Sequence, residues 1–135
     1  MFKIHKKGEC IRNVANYSRI RPTDKIDKPS FNLNKFAENI PVTSPKLKEL
    51  LKTINALDKA DLEKENKLYK HIIYTDIKNS SAGSKIIAAG LMSNGFTNVY
   101  DKKLKIDEAG LSKNANKNFA LLCSVATYDK PFPVT

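Results

Sequence analysis

A chain of 135 residues has the length of one ordinary domain, and a hydrophobic share of 41% argues against wholesale disorder. Lysine and arginine number 24 against 14 acidic residues, and the net charge of +10 favours a polyanionic partner, with nucleic acid first. The same charge also follows from a compositional bias toward Lys, Asn and Ile that keeps a protein soluble. Cys10 and Cys123 are far apart and outside metal-ligand spacing, so they indicate neither a zinc site nor a disulfide framework.

The sequence contains no window with the roughly 18 apolar residues that cross a bilayer. Residues 1–10 also lack the apolar stretch of a secretory signal. We therefore expect an intracellular protein, in the cytoplasm or in a virion, that is not secreted and has no membrane partner. We expect no cofactor, no metal and no catalytic residue.

The first 40 residues show no sustained helical or strand period and contain two prolines, which predicts an irregular arm outside the core. This arm has nine basic residues against four acidic ones, so it holds half of the net charge in less than a third of the chain. Arg12, Arg19 and Arg21, interleaved with Tyr17, have the chemistry to pair with phosphates and to stack on bases. An arm of this kind also suits docking on another protein.

Ser44 to Leu57 is predicted to be an amphipathic helix. Ser44 followed by Pro45 is a favourable start, because the serine oxygen accepts a free backbone N–H and proline suits the first helical position. The charged residues 58–70 predict a helix tail or a solvated connection. One apolar stripe is formed by Leu47, Leu50, Leu51, Ile54 and Leu57.

The rest of the chain predicts alternating strands and helices. Residues 71–75 have the β-branched and aromatic composition of a buried central strand, and a polar turn then leads to a helix from Ser84 to Asn94. Gly95 ends that helix and leads into a second strand at 96–100, while 119–125 is a continuous apolar run typical of a third, parallel strand. No helix follows to cover the third strand, so we expect an exposed sheet face and a domain that is cut short.

Three stretches carry a resemblance to a known family: SPKLKELLKTI at 44–54, KHIIYTDIKNSSAGSKIIAAGLMSNGFTNVY at 70–100, and NFALLCSVATYDKPF at 118–132. Together they resemble the opening of the second RecA-like domain of superfamily 2 helicases, and more narrowly the helicase-type proteins of large DNA viruses. The resemblance covers residues 41–135 and implies a partial α/β RecA-like unit of about three mainly parallel strands with flanking helices. It also implies that motif IV lies at the end of the strand 71–76. The nucleic-acid contacts that it implies are Asp76, Lys78, Ser80, Ser81, Ser84 and Lys85.

The sequence departs from the helicase pattern in its nucleotide-binding motifs. A phosphate-cradling loop of the form GxxxxGK[ST] is missing, and residues 81–85 lack both its first glycine and the Ser or Thr after the lysine, which is Ile86. Members of the family carry an arginine motif later in the second domain, and this sequence ends before the corresponding position. We therefore expect a helicase-like chain that does not hydrolyse ATP on its own.

Residues 76–85 also suggest chemistry without the resemblance. Asp76 follows a predicted strand, where α/β proteins place functional groups, although a carboxylate there is also a common cap. The serines and Lys85 lie near a helix N-terminus that favours a phosphate oxygen, and they equally suit an ordinary solvated turn. His71 has no neighbouring ligand residue and is expected to be structural.

Three hypotheses of function follow. The first is a nucleic-acid-binding module derived from a helicase, either truncated or one piece of a larger assembly. The second is a structural or interaction protein, in which a helicase fragment or an unrelated βαβ unit binds a protein partner through its exposed sheet face and basic arm. A small enzyme ranks last, because no nucleophile, base and oxyanion group can be assembled from the sequence.

Overall fold

The structure is a computed structural model that describes residues 16–18, 25–26, 28–77, 82–100, 105–106, 108 and 116–123. In this part of the chain there are three helices and one pair of short parallel strands, with Thr97 opposite Asn118. The expected α/β class is therefore present as a mixed fold with a small sheet. The elements are helices α1 (Leu33–Thr43), α2 (Pro45–Glu65) and α3 (Ser84–Ser93), and strands β1 (Thr97–Asn98) and β2 (Asn118–Phe119).

Two clusters of buried side chains hold the three helices together. The smaller of them, called the second cluster below, contains Ile54, Leu91 and Phe96 and lies where α2, α3 and the start of β1 meet. Helices α2 and α3 are in close contact at Gly90, where an added Cβ would lie 2.7 Å from a methyl carbon of Leu47. The first cluster consists of Tyr17, Ile26, Phe36, Ile40, Leu47, Ala82, Ile86 and Ala89.

Helix α1 corrects the prediction of an irregular arm at residues 33–40, while residues 1–15, 19–24 and 27 of that arm lie outside the described residues. The side chain of Asn32 caps this helix by accepting the backbone N–H of Lys35 at 3.0 Å. Phe36 and Ile40, one turn apart, point into the core, and the expected boundary at residues 40 and 41 falls inside the helix. Pro41 lies inside this helix near its end, and it removes the backbone donor that would bond to the carbonyl of Ala37. The arm residues that belong to the core are Tyr17, Ile26, Phe36 and Ile40.

Helix α2 confirms the predicted helix, and its continuation to Glu65 agrees with the helix-tail alternative for the residues that follow Leu57. Ser44 ends α1 and caps α2, because its hydroxyl accepts the backbone N–H of Leu47 at 3.4 Å. Asn66, in the left-handed conformation at φ 50°, ends the helix. Leu57 was expected in the buried stripe but is exposed, since the half-buried Asp58 and Asp61 continue the inner face beyond Ile54.

The predicted central strand at 71–75 is wrong within the described structure. This segment pairs with no other described strand, and Ile72 and Tyr74 are 96% and 85% exposed. Ile73 alone packs against the second cluster. The β-branched composition favours an extended chain, but a strand also needs a neighbour that provides backbone partners.

Helix α3 and its exit agree closely with the prediction. Gly95 has φ 85°, its N–H bonds to the carbonyl of Met92, and the N–H of Phe96 bonds to the carbonyl of Leu91, which together form a Schellman motif. Strand β1 lies within the predicted 96–100. Residues 124 and 125 of the third predicted strand lie outside the described residues. Of its residues 119–123 only Phe119 belongs to a strand, β2, and Leu122 is 86% exposed, so the described part of this apolar run is not buried on both faces.

Candidate nucleic-acid interface

The structure describes three of the nine residues predicted to contact nucleic acid. Asp76 is exposed at the end of the segment 67–77, and Ser84 and Lys85 are the first two residues of α3. The other six lie outside the described residues, and their predicted role stays a prediction. These are Arg12, Arg19, Arg21, Lys78, Ser80 and Ser81.

The segment that carries Asp76 ends against the start of α3. A Cβ on Gly83 would lie 1.9 Å from the carbonyl oxygen of Ile77, a separation that no side chain tolerates. Gly83 is therefore the residue that lets the two backbones approach. Ile77, the residue after Asp76, thus lies against the residue that precedes α3.

Ser84 and Lys85 are buried, with relative exposures of 7% and 3%. The Ser84 hydroxyl has no hydrogen-bond partner among the described residues. A phosphate oxygen must come within about 3 Å of a donor to form a hydrogen bond, so contact with either side chain requires the start of α3 to become accessible. Sequence alone could not indicate this burial, because it depends on how α3 packs rather than on the turn that precedes it.

The outward face of α2 presents a row of lysines. Lys48, Lys52 and Lys59 are spaced by four and seven residues, which places them on one side of the helix, opposite the buried Leu47 and Ile54. Lys48 and Lys52 are about 6 Å apart along the helix axis, and Lys59 lies about 10 Å further. We call these three residues the lysine row.

The lysine row remains available to an external anion. Lys52 is 3.9 Å from Glu49 and Lys59 is 3.8 Å from Glu63, and all four side chains are largely exposed. Exposed pairs of this kind are worth about 0 to 1 kcal/mol, so an incoming phosphate can replace the glutamate. Among the described residues Lys48 makes no ion pair.

The charges along α2 oppose the helix dipole. Its first ten residues contain three lysines and one glutamate, and its last eleven contain two lysines and four acids. The first turn has no acidic residue, although acids there and bases at the other end would each stabilise a helix by about 0.3 to 1 kcal/mol. The basic start of α2 therefore does not serve helix stability, whereas it adds to the positive potential of the helix N-terminus.

A polar junction fixes the start of α2 against residues 16–18. The hydroxyl of Ser44 donates to the carbonyl oxygen of Asn16, and the N–H of Ser18 donates to the carbonyl of Thr43 at 2.7 Å. The side-chain amide nitrogen of Asn16 donates to the carbonyl oxygen of Ala82, just before α3, at 3.3 Å. The side-chain oxygen of Asn16 accepts from the ammonium of Lys46 at 2.9 Å. Asn16 gave no signal in the sequence, since a single polar residue with partners 30 and 66 positions away has no local pattern.

Two further polar contacts hold the other end of α2. Asp58 and the His71 ring nitrogen Nε2 are 2.7 Å apart, and both side chains are about three-quarters buried. Asn55 and Asn94 exchange two amide hydrogen bonds of 3.3 and 3.0 Å, which join α2 to the end of α3. His71 thus has a structural partner, and no group of three metal-binding side chains occurs in the described part of the chain.

No protein-family model matches the sequence, and searches of curated proteins and of solved structures found no match. Within the described ranges, no helix is both long enough and apolar enough to cross a membrane.

Proposed function

We propose that this chain is a nucleic-acid-binding module that contacts the phosphate backbone through the lysine row of α2. The main observation in support is that Lys48, Lys52 and Lys59 form one exposed line on a helix whose charges oppose its own dipole. The net charge of +10 adds long-range attraction for a polyanion. Contacts of this kind position a protein on nucleic acid without reading its bases.

The proposal places the module in the second RecA-like domain of a superfamily 2 helicase, as part of a larger assembly. The parallel pairing of β1 and β2 supports this assignment, because the sheets of such domains are mainly parallel. The resemblance expects one helix in the SPKLKELLKTI stretch and another in the SKIIAAGLMSNGF stretch, and α2 and α3 are these two helices. Their presence supports the assignment as well. ATP hydrolysis is not part of the proposal, since the sequence has no phosphate-binding loop of the required form.

The test is binding of the purified chain to fluorescently labelled single-stranded and double-stranded DNA and RNA over a series of salt concentrations. We expect binding that weakens steeply with salt, because phosphate contacts release condensed counterions. The informative variant is Lys48→Gln, Lys52→Gln, Lys59→Gln. Its matched control removes three other exposed lysines and so has the same net charge: Lys28→Gln, Lys64→Gln, Lys67→Gln.

The two variants separate a defined contact surface from general charge attraction. The proposal predicts that the lysine-row variant loses much more affinity than the control. Equal loss in both variants would show that only net charge matters, and no binding at low salt by the folded chain would refute the proposal.

A second candidate function, protein interaction, is favoured by the apolar side chains exposed on non-helical segments. Ile72, Tyr74 and Leu122 are each at least 85% exposed, and Ile72 and Tyr74 lie two residues apart on one side of an extended segment. A protein complex formed through them would depend little on salt and would be lost on Ile72→Asp or Leu122→Asp. The salt series therefore distinguishes the two functions.

A further inference from the structure

Residues 70–76 have the side-chain alternation of a strand although they pair with none in the described structure. The odd-numbered Ile73 and Thr75 are half-buried, and Ile73 packs on the cluster of Ile54, Leu91 and Phe96. The even-numbered side chains face away from this core. They are Lys70, Ile72, Tyr74 and Asp76, and all four are exposed.

Among the described residues, no neighbouring strand is hydrogen-bonded to the backbone of this segment. In the described part of the chain, residues 68–75 make no backbone hydrogen bond to another residue's backbone. A short run of β-branched and aromatic residues with open N–H and C=O groups is a template on which another strand can add. The segment is also held in place, because His71 contacts Asp58 at 2.7 Å on one side of Ile73.

We propose that residues 70–76 pair with the same residues of a second copy of this chain, as antiparallel strands about a two-fold axis at Ile73. In this register Ile72 lies opposite Tyr74 of the second copy, and Lys70 lies opposite Asp76. Each pair occurs twice, since a two-fold interface repeats every contact. The paired strands present two β-branched–aromatic pairs flanked by two opposite-charge pairs, which are the cross-strand combinations that stabilise a sheet.

The self-complementary sequence of residues 70–76 favours a second copy of this chain as the partner strand, and it favours this antiparallel register. A parallel, in-register pair would place Lys70 against Lys70 and Asp76 against Asp76, and like charges directly opposite are destabilising. An antiparallel pair shifted by one residue would place Lys70 opposite Thr75 or Ile77 and lose both charge pairs. Asp76 keeps its contacts within its own chain, because a carboxylate has about four acceptor sites.

The two charges act between copies and not within one. Along an extended chain, residues 70 and 76 are about 20 Å apart, which is far beyond the reach of an ion pair. Any restoration of association by exchanging the two charges therefore reports a contact between two chains. This makes a charge exchange the sharpest test.

The test measures association by sedimentation equilibrium over a wide range of protein concentration, for the native chain and for Lys70→Asp, Asp76→Lys and the double variant. Moderate salt is used because two copies that each carry +10 repel one another. We expect a concentration-dependent dimer that each single variant weakens by about tenfold and the double variant restores. Lys64→Asp, on the exposed end of α2, is the control for Lys70→Asp because it has the same net charge. It should not weaken association, since a lower positive charge reduces the repulsion between the two copies.

Amide hydrogen exchange on the native chain provides a second measurement that needs no variant. Exchange at residues 70–76 slows at high protein concentration if the strands pair. A chain that is monomeric throughout, with rapid exchange in this segment at every concentration, would overturn the proposal and leave the edge to a strand from another protein. A dimer that is weakened by both single variants but not restored by the double variant would overturn the register.

Discussion

The close approach of α2 and α3 at Gly90 makes a sign-reversing prediction about stability. In the middle of a helix, Gly→Ala normally stabilises by about 1 kcal/mol. Here the added methyl would lie 2.7, 2.8 and 3.0 Å from three side-chain carbons of the buried Leu47, and overpacking of this kind costs about 1 to 3 kcal/mol. Gly90→Ala is therefore expected to lower the free energy of unfolding by about 0 to 2 kcal/mol.

The same substitution should have the opposite effect when Leu47 is shortened. In a Leu47→Ala background the clash is gone and the new methyl fills part of the cavity, so Gly90→Ala should stabilise by about 1 kcal/mol or more. Urea denaturation followed by circular dichroism on the four proteins of this double-mutant cycle gives the coupling between the two sites. If Gly90→Ala stabilised the native chain by its full helix propensity, α2 and α3 would not touch at this point.

Three further substitutions test single contacts. Ser44→Ala removes the cap of α2 and the donor to the residue 16 carbonyl, and should lower the free energy of unfolding by about 1 to 3 kcal/mol in urea denaturation; no change would contradict the junction. Gly83→Ala places a methyl against the carbonyl of Ile77 and should cost about 3 kcal/mol in the same assay, whereas a neutral result would separate the segment 67–77 from α3. The hydrogen bond to Glu65 raises the pKa of Tyr69 above its ordinary 10.0, and burial and the charge of Asp61 add to the effect. Glu65→Gln should therefore lower the pKa of Tyr69 in an NMR titration. An unchanged pKa would contradict the contact.

Local signals predicted the parts of the fold that depend on neighbours in sequence. Ser44 and Pro45 marked the start of α2, and Gly95 marked the end of α3, because caps act within a few residues of the helix end. Helix α1 was missed because Pro41 and a short apolar stripe hid a helix that is stabilised by burying Phe36. Packing against distant residues, which has no local signature, decided that case.

The strands and the candidate site show the same division. Residues 71–75 have strand composition but no strand partner in the described structure, since pairing depends on what lies alongside them. The outward direction of Lys48 and Lys52 followed from the apolar stripe of α2, so this part of the site was predictable from periodicity. The burial of Lys85 was not, because it is set by the three-dimensional packing of α3.

The central claim is that the lysine row of α2 contacts the phosphate backbone of nucleic acid. Its most direct test is the salt dependence of duplex DNA binding for the lysine-row variant and for its charge-matched control. Each phosphate contact contributes about 0.9 to the slope of log affinity against log salt on duplex DNA. Loss of Lys48, Lys52 and Lys59 should therefore make the slope shallower by about 2 to 3, while the control changes it by much less. Equal slopes for the two variants would contradict a binding surface on α2.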